Sequence, residues 1–145
     1  VMFLDASAIV AILNEEPEAE SFENAIEQHS RKVLVSPIAR FEAIVSLAAS
    51  RAKRRKVKTS AEAIALAIQS VDALLEEVEA NEVGILAGIG QKAVDAAANY
   101  GRVVAHPADL NLGDCFAYAV AKAYREPILF KGNDFDKTDL KQVKT

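Results

Sequence analysis

Four carboxylates, Asp5, Glu42, Asp114 and Asp134, lie inside or against apolar segments of the chain. Asp5 ends the run VMFL and begins DASAIVAIL; Glu42 sits within PIARFEAIVSLAA. Asp114 opens the nearly all-apolar GDCFAYAVAKAY, and Asp134 follows PILFKGN. A carboxylate taken out of water is costly unless it is paired or bound to a metal. Acids spread through the sequence yet tied to core elements therefore suggest one convergent acidic pocket. Oxygen ligands of this kind suit the hard ions Mg²⁺ and Mn²⁺.

Each acid also has a plainer reading. Asp5 and Asp114 could cap the helices that follow them, and Asp134, in GNDFDKTD, could be turn chemistry. Glu42 is harder to dismiss. At 100° per residue Ile38, Phe41, Val45, Ala48 and Ala49 form one apolar face with Glu42 on its shoulder, while Arg40 and Arg51 fall opposite. The set carries more than any member. Other chemistries find less support. His29 closes a polar helix, and His106 in HPADLNLGD is read as shaping the loop before Asp114. Cys115 points away from Asp114 and reads as core. Gly84, Gly88 and Gly90 match no nucleotide fingerprint. Tyr118 and Tyr124 read as core or interface rather than base-stacking platforms.

The elements that must position these acids alternate. Residues 2–5 read as a buried strand feeding a helix at about 6–13, which Asn14-Glu-Glu-Pro17 ends. A helix follows at roughly 18–30, then the short apolar run Val33-Leu34-Val35. Ser36-Pro37 signals a helix start, with Ser as cap and Pro in the first turn, and the helix runs to about residue 55. Thr59-Ser60 caps another, ending near Glu79. Val83–Leu86 is read as a third strand, 91–100 as helix stopped by Gly101, 102–112 as loop, 113–125 as helix, and 127–130 as the last strand. Alternation of this kind implies a parallel sheet covered on both faces, a three-layer α/β/α fold. Sites in such sheets form beyond the carboxyl ends of strands, where Asp5 and Asp134 fall.

At 145 residues, 51% hydrophobic and 26% charged, the chain reads as one domain with a real core built from Ala, Val, Ile and Leu. Net charge of −4 gives no global attraction to nucleic acid, so polyanion binding must be local. The lone Cys115, with no secretory leader and no apolar run of membrane-spanning length, leads to the expectation of a cytoplasmic protein without membrane attachment. The basic run RAKRRKVK holds Arg51, Lys53, Arg54, Arg55, Lys56 and Lys58. It reads as a helix end whose cations suit the dipole, as a phosphate track toward the acids, or as a dock for an acidic partner segment.

Together MFLDASAIVAIL, PIARFEAIVSL, HPADLNLGDCFAYAVAKA and PILFKGNDFDKTDL, in this order and spacing, resemble the PIN-domain ribonucleases, specifically the VapC-type toxins of bacterial toxin–antitoxin pairs. The resemblance spans essentially the whole chain. It implies that Asp5, Glu42, Asp114 and Asp134 are the four catalytic acids and that Ser7 is a supporting hydroxyl beside the first. It further implies Asp5 and Asp114 as primary metal ligands, with Glu42 and Asp134 in the inner or outer shell. The expected chemistry is hydrolysis of RNA by metal-activated water, leaving a 5′-phosphate and a 3′-hydroxyl. A homodimer and a cognate antitoxin protein that blocks the site are the partners it implies. Two rival readings stand beside it: a non-catalytic RNA-binding or scaffold domain, and a metal-dependent DNA nuclease or phosphatase. An Asp-phosphorylating phosphatase would want a second Asp where this chain has Ser7.

Overall fold

A computed structural model describes residues 1–28 and 32–145; His29 lies outside the described residues. Strand β1 (Met2–Leu4) pairs in parallel with β2 (Val33–Val35) on one side and β4 (Ile128–Leu129) on the other. β3 (Asn81–Glu82) extends the sheet beyond β2, giving the order β3-β2-β1-β4. Met2, Phe3 and Leu4 are all fully buried. Because successive strand side chains point to opposite faces, burial of all three requires cover on both faces, and the helices supply it. Burying Phe3 alone is worth roughly 2–3 kcal/mol, and Phe3→Ala would cost about 3–5 kcal/mol through the cavity it leaves.

The helices are α1 (Ala6–Leu13), α2 (Ala19–Gln28), α3 (Pro37–Arg54), α4 (Ala61–Glu77), α5 (Ala87–Tyr100) and α6 (Leu112–Tyr124). Their starts follow the sequence signals. Ser36 Oγ accepts from the Ala39 N–H at 3.0 Å with Pro37 in the first turn, and Ser60 Oγ accepts from the Ala63 N–H at 3.1 Å. α1 ends in a Schellman turn: Glu15 N–H donates to the Ile12 carbonyl and Glu16 N–H to the Ala11 carbonyl, with Glu15 at φ 52°. The carboxy-terminal segment covers the free edge of β4, where Ile128 N–H donates to the Lys141 carbonyl and Val143 N–H to the Ile128 carbonyl.

Two expectations are corrected. The third strand is Asn81–Glu82, not 83–86, and Gly88 and Gly90 lie inside α5, which starts at Ala87 rather than 91. The buried stripe of α3 is Ala39, Ala43, Ile44, Leu47, Ala48 and Ala52, whereas Phe41 is 65% exposed and Val45 38%. The side carrying Arg40 and Arg51 is not open solvent. Arg40 holds Asp72 of α4 at 2.9 Å, and Arg51 donates to Ser70 Oγ at 2.9 Å. Small alanines let α3 pack closely against its neighbours; the bulkier Phe41 and Val45 are left outside.

Candidate active site

β1 lies between β2, reached first by the chain, and β4, reached last, so the strand order reverses beside β1. That is the switch point at which open α/β sheets form sites. Asp5 stands there, immediately past β1, its N–H donating to the Leu129 carbonyl of β4 at 3.0 Å. A hollow of about 300 Å³ opens at this point, lined by Asp5, Ser7, Glu42 and Asp114, with Glu16, Ser46 and Lys131 among its other walls.

Asp5 serves the helix and the hollow together. As N-cap of α1 it accepts from the Ser7 N–H at 3.1 Å and from Ser7 Oγ at 2.6 Å, both on Oδ2. Ser7 Oγ in turn accepts from the Lys131 N–H at 2.9 Å. With that lone pair occupied, its proton is aimed at Asp5, so the hydroxyl orients the first acid. Burial pushes the Asp5 carboxyl above its ordinary range, partly offset by the bonds from Ser7 and Ala6 and reinforced by the charge of Asp134.

Asp114 is likewise held by its helix. Asn111 is the N-cap of α6, accepting the Asp114 N–H at 2.9 Å, while Asp114 Oδ2 accepts the Asn111 N–H at 3.1 Å, a reciprocal capping box. One oxygen is thereby fixed. Burial raises its carboxyl to about 6, with the Asn111 bond and Arg102 opposing and Asp5 and Asp134 adding to the rise. Glu42, projecting from α3, is raised to about 7, first by burial and then by the charges of Asp5 and Asp114. Three acids thus share one partly desolvated space and repel one another.

Asp134 is placed differently. It opens a 3-10 turn over Asp134–Lys137, is exposed, and lies outside the lining of the hollow, although its charge reaches Asp5 and Asp114. The basic run occupies the far end of α3. Glu42 to Arg54 spans twelve residues, a rise of about 18 Å. Arg54 donates to Asn14 Oδ1 at 2.7 Å, while Lys53, Arg55, Lys56 and Lys58 are exposed. His106 does shape the loop before α6: its Nδ1 accepts the Ala108 N–H at 3.0 Å, and its ring meets Tyr100 edge-on. Cys115 is buried in the core.

The sequence reading missed two contributors. A Cβ at Gly113 would overlap the Glu42 carboxylate, so the glycine leaves that side chain its place beside Asp114. A glycine in the first turn of an Ala-rich helix was the available signal. Lys131 lies in the wall of the hollow, its ammonium paired with Glu16 and 3.3 Å from Glu18 Oε2. Nothing in its sequence neighbourhood distinguished it from other surface lysines.

Among the described residues no three acidic, histidine or cysteine side chains close into a ready-made metal cage. The donor set still fits a hard divalent ion. It offers carboxylate oxygens, none of the three acids is ion-paired among the described residues, and the volume leaves room for the waters that Mg²⁺ retains.

Comparison with known proteins agrees with this architecture. The PIN domain family model matches residues 2–141. A VapC ribonuclease of Rhizobium meliloti (strain 1021) is 47% identical over 95% of this chain and 98% of its own length. Ribonuclease VapC42 of Mycobacterium tuberculosis is 36% identical over 99% of this chain and 100% of its own. Among solved structures, Mycobacterium tuberculosis VapC20, described as a sarcin–ricin loop cleaving toxin, superposes with a TM-score of 0.68 at 15% identity, covering 100% of each chain. A toxin–antitoxin complex from Klebsiella pneumoniae gives 0.61 at 17% identity over 96% of this chain and 93% of that one. With both the family model and the curated relatives matched over nearly its whole length, the chain belongs to the PIN-domain family and to its VapC group.

Proposed function

We propose that this chain is a divalent-metal-dependent endoribonuclease, the toxin of a toxin–antitoxin pair. The observation that carries the reading is the hollow at the sheet's switch point. There Asp5, Glu42 and Asp114 are brought together without a paired cation, and burial lifts Glu42 to about 7 and Asp114 to about 6. Carboxylates left short of positive charge take it from an ion. Asp5 and Asp114 would hold Mg²⁺ or Mn²⁺, each with one oxygen already fixed by its own helix and the other free to face the hollow. Such an ion, when bound, activates a water nucleophile and neutralises charge on the scissile phosphate. Glu42 would orient water or complete the ion's inner or outer shell. Ser7 keeps Asp5 in the liganding rotamer. Asp134, exposed and outside the lining of the hollow, would act through its field or complete the ion's inner or outer shell.

RNA would approach the hollow from the basic end of α3, where exposed Lys53, Arg55, Lys56 and Lys58 offer phosphate contacts. The antitoxin partner fits a separate groove of about 610 Å³ between α1, α2 and α4, whose floor of Ile12, Leu13, Ile26 and Leu74 is rimmed by Glu23, Glu27, Glu77 and Glu79. An amphipathic helix with basic flanks matches that combination. A homodimer is supported by the exposed Val94, Val103 and Leu112 around a second, strongly apolar groove formed by α5 and α6. No helix among the described residues is long and apolar enough to cross a membrane.

The test is cleavage of single-stranded RNA by the purified protein in Mg²⁺, in Mn²⁺ and in EDTA, with the ends of the products identified. Metal-dependent cuts leaving 5′-phosphates are expected; metal-independent cutting, or binding without cleavage, would overturn the reading. Neutralising Lys53, Arg55 and Lys58 to Gln should lower the slope of log affinity against log salt by about two for a single strand. An unchanged slope would return the run to a solvated helix end.

A further inference from the structure

Lys131 is the only cationic side chain among the described residues that line the acidic hollow. Its place is fixed from below. β4 is registered on β1 with Leu129 opposite Leu4, and the Lys131 N–H donates to Ser7 Oγ, which donates to Asp5. The backbone of Lys131 is therefore one hydroxyl away from the first acid. Its four-carbon stem is flexible, and three unpaired carboxylates stand in the same wall. An unrestrained ammonium there would be drawn onto them and would occupy the space an ion needs.

It does not fall inward. Nζ is paired with Glu16 Oε1 and stands 3.3 Å from Glu18 Oε2. Both glutamates come from the turn between α1 and α2, and both are anchored through their backbones. The Glu16 N–H closes the end of α1 on the Ala11 carbonyl, and the Glu18 carbonyl receives the Phe22 N–H and the Ser21 hydroxyl at the start of α2. Two acids outside the catalytic set thus hold one cation at the rim, with its side chain 40% exposed. A rim cation beside an acidic centre faces a phosphodiester with a partner it can bind, and the acids alone would repel that strand.

We propose that Lys131 is the substrate-phosphate contact of the hollow, and that Glu16 and Glu18 form a clasp that keeps its ammonium off Asp5, Glu42 and Asp114. The proposal rests on the ribonuclease reading above for the identity of the phosphate donor, but the clasp is a property of the free protein. Lys131 meets the strand next to the scissile bond, and the clasp leaves the carboxylates free for the ion.

Four variants test it: Lys131→Met, Lys131→Arg, the pair Glu16→Gln with Glu18→Gln, and that pair combined with Lys131→Met. Mn²⁺ binding is measured by titration calorimetry without RNA. Binding of a non-cleavable 2′-O-methyl oligoribonucleotide is followed by anisotropy, and KM and kcat are measured separately on cleavable RNA. Lys131→Met should weaken oligonucleotide binding about five- to tenfold and raise KM more than it lowers kcat, with Lys131→Arg restoring most of the affinity. Opening the clasp should weaken Mn²⁺ binding by about fivefold, since the released ammonium competes for the carboxylates, and adding Lys131→Met should restore it. Unchanged oligonucleotide affinity in Lys131→Met would overturn the phosphate contact. Unchanged Mn²⁺ affinity with the clasp opened, or a loss that Lys131→Met fails to reverse, would overturn the clasp. A wild type that cleaves no RNA would defeat the ribonuclease reading while the Mn²⁺ cycle still decides the clasp.

Discussion

Two groups of carboxylates in this chain obey opposite electrostatics. Between α3 and α4, Asp72 receives two bonds of 2.9 Å from Arg40, and before α6, Asp109 receives two of 3.0 Å from Arg102; pairing holds both acids below the ordinary carboxylate range. In the hollow, Asp5, Glu42 and Asp114 are ion-paired with nothing among the described residues, and burial lifts all three. The chain has 17 lysines and arginines, so cations are not scarce. Among the described residues they pair with Asp72, Asp109, Asp139, Glu16 and Glu18, and not with Asp5, Glu42 or Asp114. Even Lys131, in the wall of the hollow, is tied to Glu16 instead. Where a fold leaves mutually repelling acids uncompensated, a bound proton or a bound cation must relieve the repulsion.

The sharpest way to break this contrast is Asp114→Asn. An amide keeps an oxygen for the Asn111 N–H, so the capping box survives, but the liganding charge is gone. Cleavage of RNA should fall by more than about 100-fold, beyond the usual loss from an outer-shell residue. Melting in EDTA should be unchanged or higher, because a repulsion is relieved, and most of the shift that metal gives the wild type should vanish. A variant that cuts normally and keeps its full metal-induced shift would show that Asp114 is only a helix residue. Gly113→Ala comes next. Its Cβ would displace the Glu42 carboxylate, so Mn²⁺ affinity and activity should drop by about tenfold. Helix propensity favours Ala by up to about 1 kcal/mol, so stability should hold within roughly 1 kcal/mol. Full activity would mean that Glu42 has room the structure does not give it.

The pH dependence of the metal-free protein sharpens the comparison further. Glu42 titrates at about 7 and Asp114 at about 6 when folded, against 4.5 and 3.8 ordinarily. Between those limits the native protein binds more protons than the unfolded chain. Its stability should therefore fall as pH rises from about 4 to 7 and level off above. Both groups are partly exposed, and solvent screening holds the total change to about 2 kcal/mol. Saturating Mg²⁺ should flatten or reverse the slope, since ligands must be deprotonated to bind. Asp72 and Asp109 work the other way, and their contribution is lost only below the ordinary aspartate range. Chemical denaturation in EDTA across this window checks it; stability rising toward pH 7 would contradict the burial argument.

Most of the scaffold could be read from local signals. Ser36-Pro37 and Ser60 announce their helices because a cap is a bond between near neighbours, and MFLD announces a buried strand reaching a helix. Val83–Leu86 misled because its apolar residues resemble a strand, while the edge position of β3 asks only for backbone pairing and is filled by exposed Asn81 and Glu82. The buried stripe of α3 was misplaced for a related reason. Periodicity fixes the spacing of a face but not which of two candidate faces meets the core, and here closely packing alanines won over Phe41 and Val45. In the site, the convergence of Asp5, Glu42 and Asp114 was legible as acids in apolar company. Gly113 beneath Glu42, and Glu16 holding Lys131, were not, because they depend on contacts between α3 and α6 and between the α1–α2 turn and β4.

The smallest expected effect lies on the paired side of the comparison. Arg40 and Asp72 are 35% and 47% exposed at their side chains, so solvent already screens them. A double-mutant cycle with Arg40→Gln and Asp72→Asn should return a coupling of about 0.5–1 kcal/mol, falling in 1 M salt. The bidentate geometry places it toward the upper end, because Arg loses little freedom in forming its second bond. Neither change should alter Mn²⁺ affinity, since the pair lies outside the walls of the hollow. A coupling well above about 2 kcal/mol would exceed what an exposed pair supplies, and would mean that the α3–α4 contact depends on this ion pair rather than on the alanine stripe beneath it. Glu42 would then owe its position to Arg40, and the two groups of acids could no longer be treated as independent.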